Sequence, residues 1–261
     1  MKSLVTDFKN WCQTEIPARP LRALRNAFAA IWLVYDLIDL TTGQTAKNAF
    51  ILGMNLDPNW LKSSQVITIL CEVGILLGWQ SRWFLLGACV SRAWLGTIYS
   101  LNDFLYFTVV ALLLAQADCD AGVEMTPRWP RDLLLLQTTW MYFCSSLLKM
   151  NPDFLSGGDL YARGNYVARA LPFFYPKFYV SWLGHMSFDS ALAWTAVAIE
   201  LLLAILLLLL TCRFHNRGLR NLILVLTLAV HIFAAYAYNV FFFGASLIAQ
   251  VYFLTLSRAE E

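Results

Sequence analysis

Charge is what this chain has least of. Asp, Glu, Lys and Arg make up 14% of its 261 residues, where an ordinary soluble domain carries about a quarter. Beside a hydrophobic share of 59%, that scarcity argues against a water-soluble fold. The net charge of +2 offers no basic surface, so no nucleic-acid partner is expected. Residues 1–22 lack the apolar core of a cleavable signal, and the first long apolar run follows Pro20. The six cysteines (Cys12, Cys71, Cys89, Cys119, Cys144 and Cys212) contain no CxxC and no zinc-like spacing, which excludes a redox dithiol and a metal site of the usual kinds. There is no internal repeat, and the leucine run 201–210 is the one biased segment.

What the chain does have is apolar runs, near 23–40, 63–79, 83–100, 103–117, 133–149, 191–210, 221–238 and 240–256. Several approach the roughly 20 residues that cross a bilayer as a helix. The expected fold class is all-α, a polytopic integral membrane helical bundle of about eight transmembrane helices. The fourth and eighth runs are short enough to be tilted or re-entrant, which leaves six or seven open. Leu4, Phe8 and Trp11 share one helical face, with Lys2 and Lys9 available for the other. Residues 1–22 are therefore expected to form a cytoplasmic interfacial amphipathic helix, or a solvated tail, ahead of a transmembrane domain over 23–261. With eight spans, twelve basic residues fall on the side of the N-terminus, six on the other side, and Arg92 inside a span. The positive-inside rule then puts both termini in the cytoplasm and makes 150–190 an outward-facing segment. The expected location is a bacterial inner membrane, with the lipid bilayer as the first partner.

Ionisable residues inside a membrane are expensive, so each needs a partner or a role. Glu72 and Arg92 lie nearly equally far from the tight 80–82 connection, so in an antiparallel hairpin they sit within about 3 Å of depth and should pair. Glu200 and His231 are equidistant from a loop near residue 215, which makes a Glu–His contact plausible. Asp36 and Asp39, at i and i+3, share a depth with Asp103 and Lys149 at the outer boundary. These groups are either snorkelling interfacial charges or a site.

The stretch SSLLKMNPDFLSGGDLY (145–161) places Lys149 at the end of an apolar helix. Asn151-Pro152 breaks that helix, because the residue before proline avoids the α region. Gly157-Gly158 permits a sharp turn, and an aromatic-rich outer segment follows, including Tyr161, Tyr166 and Phe173. That segment is either an aromatic belt or a lid over a pocket in which Lys149 ends. Desolvation in such a pocket would make the lysine a usable base.

LLKMNPDFLSGGDLY (147–161) resembles the signature of the HTTM (horizontally transferred transmembrane) family, which includes the membrane domain of vitamin K-dependent gamma-glutamyl carboxylase. The matching positions are Lys149, Asp153-Phe154, and Gly157 or Gly158. LRNAFAAIWLVYDLIDL (24–40) is similar to the family's first helix, and HIFAAYAYNVFFFGASL (231–247) to its histidine-led aromatic span. Between them, Glu200 falls where the family often has an acidic residue. The resemblance implies that Lys149 is the base that deprotonates a quinol such as vitamin K hydroquinone. Oxygen then attacks, and the strong base so formed abstracts a glutamyl proton for addition of carbon dioxide. It casts His231 and Glu200 as supporting catalytic residues. Phe154, Tyr161, Asp36 and Asp39 become the candidate cofactor-binding residues. The chain departs from the carboxylase over QADCDAGVE (116–124), which holds no histidine. Two readings from different classes stand: a quinol-dependent lyase acting on a peptide or small molecule, and a non-catalytic subunit packed against other membrane proteins. A transporter would call for an inverted repeat or paired broken helices, and the sequence shows neither.

Overall fold

The structure is a computed structural model that describes residue 6 and residues 10–42, 58–78, 80–96, 101–158, 186–211, 216–238 and 241–259. The described residues form an all-α protein with one small two-stranded sheet. The helices are α1 (Arg19–Thr42), α2 (Pro58–Leu77), α3 (Ser81–Gly96), α4 (Leu101–Gln116), α5 (Trp129–Lys149), the short α6 (Pro152–Leu155), α7 (Met186–Thr211), α8 (Arg217–Tyr238) and α9 (Phe241–Ala259). The strands are β1 (Glu15–Pro17) and β2 (Met125–Pro127). Apart from the ends of a few runs, the described residues of all eight apolar runs lie on helices. Among the described residues, two stretches are long and apolar enough to cross a membrane, Asn59–Leu77 in α2 and Asp189–Thr211 in α7. Shorter apolar stretches occupy α4 and α9. Tyr161, Cys212 and most of the expected outer segment lie outside the described residues.

The chain divides into two compact units. Unit 1 covers residues 1–134 and 256–261, and unit 2 covers residues 135–255. In unit 1, α1 buries Leu21, Leu24, Arg25, Phe28, Trp32, Asp36 and Asp39 on one helical stripe. Its other face exposes Val34, Leu37 and Ile38. Toward its C-terminal end Asp36 and Asp39 face in while Val34, Leu37 and Ile38 face out, the reverse of a helix in water. Phe28 stacks on Phe107 of α4 at 4.9 Å, and Trp32 meets the same ring edge-on at 5.1 Å. The α2–α3 hairpin closes tightly because Gly74 has no side chain. A Cβ there would lie 2.5 Å from the Phe84 ring.

The N-terminal segment differs from the expected amphipathic helix over 1–22. Residues 10–13 are helical, but Glu15–Pro17 then pairs antiparallel with Met125–Pro127, Ile16 opposite Thr126. Backbone bonds from Ala18 to Glu124 (2.8 Å) and from Arg128 to Thr14 (2.9 Å) extend the pairing. The Trp11 indole donates to Asp132 at 3.1 Å. This tryptophan is thus a contact within unit 1.

In unit 2, α6 seats Phe154 against Ala193 and Val197 of α7. Gln250 of α9 donates to Thr138 of α5 at 2.8 Å. Gly244 of α9 lies against His231 of α8, where an added Cβ would meet the histidine's own Cβ at 3.4 Å.

Candidate active site

Helix α5 turns Thr138, Thr139, Tyr142 and Ser146 inward and leaves Leu136, Trp140, Leu147 and Leu148 exposed. Lys149, one further turn along the polar stripe, ends the helix. Asn151 fixes that end from both sides. Its amide donates to the Leu148 carbonyl at 2.8 Å, and its side-chain oxygen accepts from the Phe154 N–H at 2.9 Å, capping α6. Pro152 occupies the first turn of α6, where its missing N–H costs nothing. Gly157 then takes φ +85°, a conformation L residues avoid, and its position presses on α7. An added Cβ would stand 2.4 Å from the Asp189 Cβ. Ser190 donates to the Leu155 carbonyl at 2.7 Å.

The stretch from Lys149 to Gly157 is therefore a clamp between α5 and α7. Ala193, Val197 and Glu200 follow one face of α7. Phe154 packs on the first two, and Lys149 Nζ donates to Oε1 of the third. The lysine side chain keeps 28% of its surface, the glutamate 8%. The Phe154 ring lies 5.9 Å from the ammonium. His231, buried on α8, bonds Tyr142 through Nε2 at 2.7 Å. Lys149 is near enough to act electrostatically on His231, and Glu200 on Tyr142. Among the described residues, two buried atoms of this cluster meet no hydrogen-bond partner, Glu200 Oε2 and His231 Nδ1.

Lys149, Glu200 and His231 thus share one cluster, but the pairing is not Glu200 with His231. Glu200 takes the lysine, and the histidine takes Tyr142. Tyr142 was not singled out from sequence, although it stands seven residues before Lys149 on the same face of α5. Phe154 lies at the lysine. Asp36 and Asp39 belong to unit 1 and are engaged there. Asp36 pairs with Arg92, and Asp39 accepts from the Gln65 amide at 2.5 Å. The Glu72–Arg92 pair is present, at 3.4 Å. The Asp103 side chain and Tyr161 lie outside the described residues. Among those residues no group of His, Cys, Asp and Glu is arranged to hold a metal ion. No family model, curated protein or solved structure matches this chain.

Proposed function

We propose that this is an integral membrane protein and that its Lys149–Glu200 pair is an acid–base site for a quinol. The eight long helices cross the bilayer, both termini are cytoplasmic, and the pair lies toward the extracytoplasmic side of an inner membrane. Support for the membrane comes from the inverted helices. On α2, Ile67, Leu70 and Leu77 are exposed, while Gln65, Thr68 and Glu72 are buried, as lipid would require.

One observation carries the site: a half-buried lysine bonded to a carboxylate whose buried second oxygen meets no donor among the described residues. The open atoms Glu200 Oε2 and His231 Nδ1 suit the hydroxyl groups of a quinol, and Phe154 suits its ring. A bound quinol would supply reducing equivalents and an acidic hydroxyl. Bonded to each other, Lys149 and Glu200 serve as base as a unit. Glu200 Oε2 takes up the proton, and the released ammonium can balance negative charge beside it. His231, tied to Tyr142, positions and bonds the ligand. The overall reaction proposed is a carboxylase-like lyase reaction on a peptide or small molecule. Supplied with dioxygen as the electron acceptor, purified protein should bind and oxidise a vitamin K-type hydroquinone, and Glu200→Gln should abolish the oxidation while the protein stays folded. Unaltered oxidation in Glu200→Gln, or no binding of any quinone by the wild type, would replace this reading with the non-catalytic subunit.

A further inference from the structure

Unit 1 contains a polar cluster of its own, in the C-terminal halves of α1, α2 and α3. Arg92 Nη2 donates to Asp36 Oδ2 and lies 3.4 Å from Glu72 Oε1. All three residues are buried, at 0% exposure for Arg92 and Glu72 and 2% for Asp36. The guanidinium is covered by the Trp32 ring at 4.7 Å and the Phe107 ring at 4.8 Å. Several polar groups of the described residues lie nearby, one of them the acidic Asp39. Tyr35 lies 5.6 Å from the guanidinium, Ser64, Thr68 and Ser91 bond among themselves, Cys71 neighbours Glu72, and Asp39 takes the Gln65 amide. The Asp36 and Glu72 carboxyl groups converge on the same Arg92 nitrogen, Nη2, an arrangement suited to a hydrogen bond between them. Two carboxylates cannot make that bond, since neither has a hydrogen to give. The buried Glu72 Oε2 meets no other donor. With both acids ionised, the trio would hold a net negative charge away from water, and burying an uncompensated charge is far costlier than neutralising it. One proton makes the trio neutral.

We propose that Asp36 and Glu72 form a carboxyl–carboxylate pair that binds one proton inside unit 1, with Arg92 as its fixed counter-ion. The same oxygens could otherwise take a small monovalent cation, so the test must separate the two. Infrared spectra of the full chain in detergent at neutral pH should contain the carbonyl band of a protonated carboxylic acid. The band should shift on 13C labelling of aspartate or glutamate carboxyls, disappear in Glu72→Gln and in Asp36→Asn, and ignore sodium and potassium. A band that survives both substitutions belongs elsewhere and overturns the assignment. Loss of the band on adding a cation also overturns it, in favour of a cation site. Should the variants not fold, the labelled wild type decides alone: no protonated-carboxyl band at neutral pH would end the idea. None of these outcomes bears on Lys149, so the two sites are judged separately.

Discussion

Lys149 and Glu200 differ in what each can reach once its partner is gone. Losing one member of a buried pair costs about 3–5 kcal/mol, because the other charge is stranded. Glu200 is nearly enclosed, so Lys149→Met should cost about 3 kcal/mol, near the low end of that range. Lys149 retains a route to water, so Glu200→Gln should cost only about 1 kcal/mol. Thermal denaturation of the two variants and of the double variant checks this: the double should recover most of what Lys149→Met loses. Equal losses in the single variants would mean that the pair is equally exposed at both ends. Cys119, in the segment between α4 and β2, makes a separate prediction. Burial pushes its thiol up to about 12, above the ordinary value of 9.0. Native protein at pH 8 should therefore alkylate at the half-buried Cys12 and Cys144 well before Cys119. Because the folded state raises this pKa, its stabilising effect is complete below about pH 9 and is lost as pH rises through 12. Rapid labelling of Cys119 at pH 8 would show the site to be open.

At the level of elements, the clamp between α5 and α7 rests on two residues that touch neither Lys149 nor Glu200. Asn151→Ala removes a cap at one helix end and a carbonyl partner at another, and should lower stability by about 1 kcal/mol. Gly157→Ala forces an L side chain into a left-handed conformation, at about 1–2 kcal/mol before any clash with Asp189. Both should weaken the proposed quinol oxidation more than the Tm loss explains, which denaturation and activity assays on the same samples would show. These elements also mark where sequence reading succeeds. Every apolar run was legible as a helix, because lipid-like patterning persists over many residues. Glu72 and Arg92 could be paired by counting from a tight connection, since a short hairpin fixes depth. Counting misassigned Glu200 and His231 for a related reason: it gives height along a helix but not rotation about it, and rotation gave Glu200 to Lys149. Asp36 joined Arg92 from a third helix, where no connection sets the offset. Tyr142 carries no charge and raised no flag. The strands are three residues each and end in proline, too short to produce an alternating pattern.

For the whole molecule, the proposed topology makes one sharp demand. Cysteines placed at the exposed positions Ser156 and Asn216 should react with a membrane-impermeant reagent from opposite sides, Ser156 from outside the cell and Asn216 only after lysis. Reversed labelling would invert the orientation, and labelling of both from one side would remove an odd number of spans between them. The sheet of unit 1 bears on how such a chain is made. Ile16 pairs with Thr126, roughly 110 residues further along, and α1 to α4 all lie between the two. At about 5–20 residues per second of synthesis, β1 waits roughly 5–20 seconds before its partner exists. Closing a connection of that length from a flexible chain would cost about 4 kcal/mol, so the pairing gains greatly if the four helices are already inserted and packed. The strand is made early and fixed late. During that interval its backbone donors have only water, lipid headgroups or the insertion machinery to bond.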